Sequence, residues 1–292
     1  MRYIEHEQVV KRMNGRLVAN VIFKGIFLAA TLLAILALVL LAYRIITQGA
    51  GHLSLDFLSN FSSRFPEKAG IKAALIGSLW LMAVVAPTSI ILGVGSAIYL
   101  EEYAKKNKIT SFIRINIANL AGVPSIVFGL LGLTIFVRAF ALGNSILAAG
   151  FTMSLLILPV IIVAAQEAIR SVPGELREAS LGMGATKWQT IVKIILPAAI
   201  PGILTGSILA LSRAIGETAP LIVIGVPVII QFLPAGVLDT FTALPIQIFD
   251  WASRPQQEFQ TVAAAGIIVL MIFLLLMNSV AVIIRNKFQK RY

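Results

Sequence analysis

The chain has 292 residues, 58 % of them hydrophobic and 13 % charged, with a mean hydropathy of +0.92; charged residues are about a quarter of an ordinary soluble domain, so the composition excludes one. It has no cysteine, which excludes disulfides, thiol catalysis and cysteine-based metal sites, and its two histidines, His6 and His52, are too few and too peripheral for a metal cluster. The net charge of +11 would suit nucleic acid, but where the cations stand along the chain gives it another meaning.

Residues 1–24 are polar and read as a cytoplasmic N-terminal segment, an arrangement that argues against a cleaved secretory signal. Uncharged runs of 18 or more residues read as membrane-spanning helices, because about 20 residues at 1.5 Å rise cross a hydrocarbon core of about 30 Å. Five such runs occur, at residues 25–43, 73–100, 115–137, 139–165 and 260–284, and a sixth, 194–224, is broken only by Arg213 and Glu217. The expected fold class is therefore an all-α integral membrane protein with six transmembrane helices. The first helix and an extracytoplasmic loop fill 25–69. A second outer loop, 226–259, is punctuated by Pro227, Pro234, Pro245 and Pro255 and carries Asp239, Asp250 and Glu258 against Arg254. Its apolar stretches could pass for a seventh helix, but a seventh crossing would put the basic tail, 286–292, outside; the loop is expected to be interfacial or folded over the outer mouth.

With both termini inside, seventeen Lys and Arg fall on the cytoplasmic side. They are Arg2, Lys11, Arg12, Arg16 and Lys24; Lys105, Lys106, Lys108 and Arg114; Arg170, Arg177, Lys187 and Lys193; and Arg285, Lys287, Lys290 and Arg291. Six fall outside: Arg44, Arg64, Lys68, Lys72, Arg138 and Arg254. That asymmetry is the positive-inside rule, so the basic charge is a topology signal. Glycines recur inside the runs, at 77, 93 and 95, at 122, 129 and 132, and at 202 and 206. In lipid, small residues let helices approach closely, which predicts a packed bundle.

Between the fourth and sixth runs, residues 170–197 form a polar, glycine-punctuated loop. Ser171 can cap, Pro173 suits a first turn, and Glu175 to Ala179 are helix formers. Gly184 suits a tight turn, and Thr186 can cap a second stretch through Trp188 and Ile191. Leu181 and Met183, beside Arg177 and Glu178, could dock into a cleft on a soluble partner. In the sixth run, Arg213 and Glu217 are four residues apart, one helical turn, and can pair. A charge at mid-bilayer costs at least about 2.5–3.5 kcal/mol, so such residues face a pathway or a partner. Either the two form a self-satisfied pair between helices, or Arg213 offers charge-assisted hydrogen bonds to a passing oxyanion while Glu217 limits how tightly it is held. Thr218 and Pro220 follow, and a proline there interrupts the backbone ladder. Arg170 and Asn119 are further candidates for a path, and Arg138 can snorkel to the interface.

Glu178-Ala179-Ser180, three residues, Gly184, nine residues, then Ile194-Ile195-Leu196-Pro197 resembles the EAA loop of type I ABC importer permeases, with Ser180 in place of the second alanine. Arg213-Ala214-Ile215-Gly216-Glu217-Thr218 resembles a signature of phosphate importer permeases. The segments 119–130 and 97–103 are similar to the start of their third helix and the end of their second. The Thr-Ala-Pro continuation and the short N-terminal region favour a PstA-type subunit. The resemblance implies a permease core over 70–285 that forms a translocation path for inorganic phosphate. It implies coupling through Glu178, Ala179, Ser180, Gly184, Ile194, Leu196 and Pro197 to two PstB-like ATPase subunits, which hold ATP and Mg. It further implies a PstC-like permease subunit and an extracytoplasmic PstS-like phosphate-binding protein. The chain has no Gly-x-x-x-x-Gly-Lys-Ser/Thr loop, so it is expected to bind no cofactor and not to hydrolyse ATP alone. A permease for sulfate or molybdate is the nearest alternative. An ion-coupled secondary transporter would carry more intramembrane carboxylates than Glu217, and an intramembrane enzyme would need a nucleophile–base pair or metal ligands at membrane depth.

Overall fold

The computed structural model describes residues 6–105 and 107–288, with side chains from residue 16 to 287; Arg2, Lys106, Lys290 and Arg291, counted above as cytoplasmic cations, lie outside the described residues. Every regular element among them is helical: α1 (His6–Gly49), α2 (Leu55–Ser59), α3 (Lys72–Ile98), α4 (Lys108–Leu120), α5 (Ser125–Gly132) and α6 (Ile146–Arg170). There follow α7 (Gly174–Gly182), α8 (Lys187–Thr190), α9 (Leu196–Gly216), α10 (Ala219–Ile224), α11 (Leu244–Ser253) and α12 (Gln257–Phe288). Three wide π-type turns, Tyr99–Tyr103, Leu133–Ala139 and Ile191–Ile195, extend α3, extend α5 and lead into α9. Among the described residues five helices are long and apolar enough to cross a membrane, and α4–α5 makes a sixth span if the bent pair counts as one.

That pair corrects the reading of 115–137 as one straight span: its halves are bent by 105° across residues 121–124. The cause is local. Pro124 cannot donate a backbone hydrogen bond and pushes Val123 out of helical geometry, so the ladder must stop there. The fourth span also starts later than expected, at Ile146 rather than near residue 139, because Ala141 and Gly143 take positive φ (53° and 62°) and turn the chain. Ser145 then caps the new helix by accepting from the Ala148 N–H.

α6 is the centre of the bundle, packed between α3 and α9, with two thirds (67 %) of its apolar window buried. Glycines set the spacing. A Cβ on Gly93 would stand 2.5 Å from Ile161, one on Gly150 2.5 Å from Val84 and one on Gly202 2.8 Å from Ala168. A Cβ on Gly132 or Gly206 would strike Thr152 or Ala164. Such contacts bring helix axes together where lipid offers no hydrophobic preference between neighbours. Hydrogen bonds add to them: Thr88 to Ser154 (2.6 Å) joins α3 to α6, and Ser212 to Asn278 (2.6 Å) joins α9 to α12. In contrast, α1 has none of its apolar window buried and packs against α12.

The outer loop 226–259, expected to be interfacial or folded over the outer mouth, joins the core in part: residues 241–248 and Trp251 are buried, whereas most of 231–240 is exposed. Its helix α11 has 10 residues, too short to cross, and Phe241, Leu244 and Trp251 are fully buried. The loop also closes the N-terminus of α6: Ile146 and Leu147 donate their N–H groups to the carbonyls of Asp239 and Val237 (3.1 and 2.8 Å), pairing donors that a helix start leaves free. Asp239 in turn accepts from the N–H groups of Ala235 and Gly236 (2.7 and 2.9 Å). Asp239 is thus used in folding the loop.

Candidate functional site

Two regions carry the residues singled out by sequence. The first is the loop after α6. The expected cap and first turn shift by a few residues: Ser171 ends α6, its hydroxyl donating to the Ala168 carbonyl (2.8 Å), and Pro173 sits just before α7 rather than in its first turn. Gly184 takes φ +83°, a left-handed position that glycine fills without strain. Thr186 forms a full capping box with Gln189 and starts α8. Ser180, the departure from the EAA pattern, hydrogen-bonds Thr190 at 2.9 Å and so pins α7 to α8, a contact that alanine could not make. Ile191 and Ile195 are fully buried beside Ala97, Ala165 and Ile169 and anchor the loop to the bundle. Ile194, Leu196 and Pro197 are half-buried there.

α7 itself has no buried residue, and Glu178 and Ala179 are exposed. Around them Leu176, Leu181, Met183 and Trp188 are exposed too, Met183 by 89 % and Trp188 by 62 %. A cluster of large apolar side chains on a polar loop marks an interaction surface.

The second region is the break between α9 and α10. α9 ends at Gly216, so Glu217 is extended backbone past the helix rather than one turn along it. The pair still forms: Arg213 Nε donates to Glu217 Oε1 at 3.3 Å, with the arginine side chain 52 % exposed and the carboxylate 19 %. Both terminal guanidinium nitrogens of Arg213 remain free of hydrogen bonds among the described residues. Thr218 and Pro220 open α10, which packs on α5, where a Cβ on Gly129 would stand 2.9 Å from Pro220. The two segments whose sequences resemble phosphate permeases, 119–130 and 213–221, are therefore neighbours. Asn119 is exposed near the end of α4 and makes no side-chain hydrogen bond among the described residues. Arg170 shares no bond with Arg213 or Glu217; it is held at the end of α6 by Glu101 (2.9 Å) and Glu167 (3.0 Å).

Sequence reasoning missed Glu101 and Glu102. They entered there only as part of segment 97–103, similar to the end of a permease second helix, yet their side chains are only 12 % and 6 % exposed, and both are paired with arginines. The signal available was two adjacent acids in a segment whose other charges are basic.

Residues 89–291 match the family described as binding-protein-dependent transport system inner membrane component. Among curated proteins, the probable ABC transporter permease protein YqgI of Bacillus subtilis is 38 % identical over 209 residues, covering 71 % of each chain. The phosphate transport system permease protein PstA 1 of Mycobacterium tuberculosis is 32 % identical over 280 residues, 92 % of this chain and 90 % of its own length. The phosphate transport system permease protein PstA of Yersinia pestis is 32 % identical over 283 residues, 95 % and 93 % respectively. In solved structures, a chain of the MetNI methionine ABC transporter aligns with a TM-score of 0.62 at 17 % identity, covering 75 % of this chain and 96 % of its own. A chain of a bacterial ABC transporter that imports the polysaccharide alginate aligns at 0.60 and 17 %, covering 94 % and 100 %. These likenesses show the fold, that of a type I ABC importer permease.

Proposed function

The chain belongs to the family of binding-protein-dependent transport system inner membrane components, and we propose that it is the PstA-type permease subunit of a bacterial importer that moves inorganic phosphate at the expense of ATP. The observation that carries this reading is the likeness, over more than nine tenths of the chain, to proteins named as phosphate transport permeases. It is a multi-pass membrane protein and a transport component; hydrolysis of ATP, with its Mg, is assigned to partner ATPases. Those partners are two PstB-like subunits, with a PstC-like permease beside this chain and a PstS-like binding protein delivering substrate from outside.

The chemistry of the residues supports the division of labour. The exposed Glu178, Leu181, Met183 and Trp188 give an ATPase both apolar and charged side chains to dock against. Ser180, Gly184, Ile194, Leu196 and Pro197 hold that surface against the bundle. Arg213, with Nε engaged by Glu217, keeps its two terminal nitrogens for a phosphate oxyanion, to which a planar guanidinium donates paired hydrogen bonds. The neighbouring carboxylate offsets part of the arginine's charge, so that bound anion can leave. Thr218, at the break, offers a hydroxyl; Asn119 and Arg170 are the weaker members of the path. Closure of the ATPases around ATP moves α7, and the bundle alternates between outward-open and inward-open states.

The test is uptake of labelled phosphate by cells that lack other phosphate uptake and express this chain with the three partner types. Glu178 makes no ion pair among the described residues, so Glu178→Lys is expected to reach the membrane in normal amount and to abolish uptake. Uptake that persists in this variant and follows the proton gradient refutes the ABC reading. Movement of sulfate or molybdate in place of phosphate refutes the substrate assignment.

A further inference from the structure

The wide turn Tyr99–Tyr103 at the end of α3 touches four other elements through three consecutive side chains. The Glu101 carboxylate holds Arg114 of α4 and Arg170 of α6, and the second of these bonds is 2.9 Å. Glu102 holds Arg177 of α7 at 2.6 Å. The ammonium of Lys187, the first residue of α8, lies over the Tyr103 ring, 5.0 Å from its centre. A π-type turn inserts an extra residue into the helical ladder, and such turns concentrate at functional positions. Here it presents neighbouring residues to different partners.

What this turn does for α7 differs from ordinary packing. α7 buries none of its own residues, so apolar contact fixes it only weakly; the Ser180–Thr190 bond ties it to α8. The Arg177 side chain, 37 % exposed, instead reaches a carboxylate that is 94 % buried by the fold, since Glu102 is only 6 % exposed. The Nε of Arg177 is itself buried and has no hydrogen-bond partner, so the guanidinium is held through its terminal nitrogen by Glu102. A desolvated, charge-assisted bond of this kind is stiff and directional.

We propose that the Glu102–Arg177 pair is the link through which displacement of α7 is transmitted to α3, with Glu101 passing it on to α4 and α6. Glu102 and Arg177 are positioning residues for transport: neither contacts substrate. The proposal rests on the reading of α7 as the ATPase-docking helix and adds the route by which its motion enters the bundle.

The absence of native cysteine makes the test direct. Glu102→Cys combined with Arg177→Cys supplies one thiol pair in the complete importer, reconstituted in liposomes with cysteine-free partner permease, ATPases and binding protein. Labelled phosphate imported per ATP hydrolysed is measured after a short, reducible bis-thiosulfonate reagent has joined the thiols, and again after reduction. The joined form is expected to keep the ratio of the unsubstituted importer. After reduction the ratio is expected to fall about tenfold, the usual size of a coupling between sites, while hydrolysis continues. Because the same molecules are read in both states, misfolding cannot produce that difference. Equal ratios in the two states, or coupling that appears only after reduction, overturn the proposal. If the unsubstituted importer moves no phosphate with ATP, the functional reading fails and the proposal fails with it.

Discussion

Gly77 in α3 is the point at which the outer loop lies hardest against the bundle, and Gly77→Ala should separate the loop from it. A Cβ there would collide with the carbonyl oxygen of Thr242 and stand 3.1 Å from its carbon and 3.3 Å from the Phe241 ring. Thr242 and Phe241 are fully buried, and the clashing atom is backbone, so no rotamer change relieves it. Overpacking of this kind costs about 1–3 kcal/mol. Moving Thr242 also strains the bond from the Leu244 N–H to Ser78 Oγ (2.9 Å), and a buried donor left without its partner costs about 1–3 kcal/mol more. The gain from replacing a helical glycine offsets about 0.5–1 kcal/mol. The net loss is about 3 kcal/mol, or a fall in Tm of roughly 6–12 °C at 2–4 °C per kcal/mol. Gly95→Ala, in the same helix but with nothing within 4 Å of the added carbon, should melt at or slightly above the unsubstituted chain. The assay is thermal unfolding of the purified chain in detergent at one fixed scan rate, so that the variants are ranked on the same kinetic footing. A Gly77→Ala protein that melts as high as Gly95→Ala would refute the seating of the loop on α3.

Two further outcomes bear on the functional site. Trp188 is exposed whereas Trp251 is fully buried, so adding the ATPase to the chain should shift tryptophan emission to the blue, and the shift should vanish in Trp188→Phe; an unchanged spectrum would remove Trp188 from the docking surface. Arg213→Gln should lower phosphate uptake by about tenfold or more, while Arg213→Lys, which keeps the charge but loses the planar fork, should retain part of it; equal uptake in the two variants would leave the guanidinium no special part.

Much of this architecture was legible because membrane spans are a matter of length and polarity, which a sequence states outright. The spans of α1, α3 and α12, the loop after α6, the capping role of Thr186 and the turn at Gly184 follow from apolar runs and local residue types. What escaped depended on contacts between distant residues. The 105° bend needed Pro124 to be weighed against an otherwise uninterrupted apolar run. The outer loop is expected from sequence to be interfacial or folded over the outer mouth because a seventh crossing would put the basic tail outside; the charge of the tail carries no information on the packing of Trp251 in the core or on the bonds from Asp239 to the loop's own backbone. At the site, Arg213 and Glu217 were identified and do meet, but the helix end at Gly216 that frees Glu217 from helical geometry was not foreseen. Glu101 and Glu102 stayed hidden because an acid at the end of a span looks the same whether water or an arginine surrounds it.

The glycine contacts along α6 restrict how this protein can move. Sliding one helix past another by a single residue requires about 1.5 Å of travel. At Gly93, Gly150, Gly202 and Gly206, where α6 meets α3 and α9, there is not room for a methyl group between neighbours. Shear among α3, α6 and α9 has to part these close contacts, whereas rotation of the three as one block leaves them intact. The places where the chain is not locked this way lie at the edges of the block: the bend at residues 121–124, the break at Glu217, and the contact of α1 along α12.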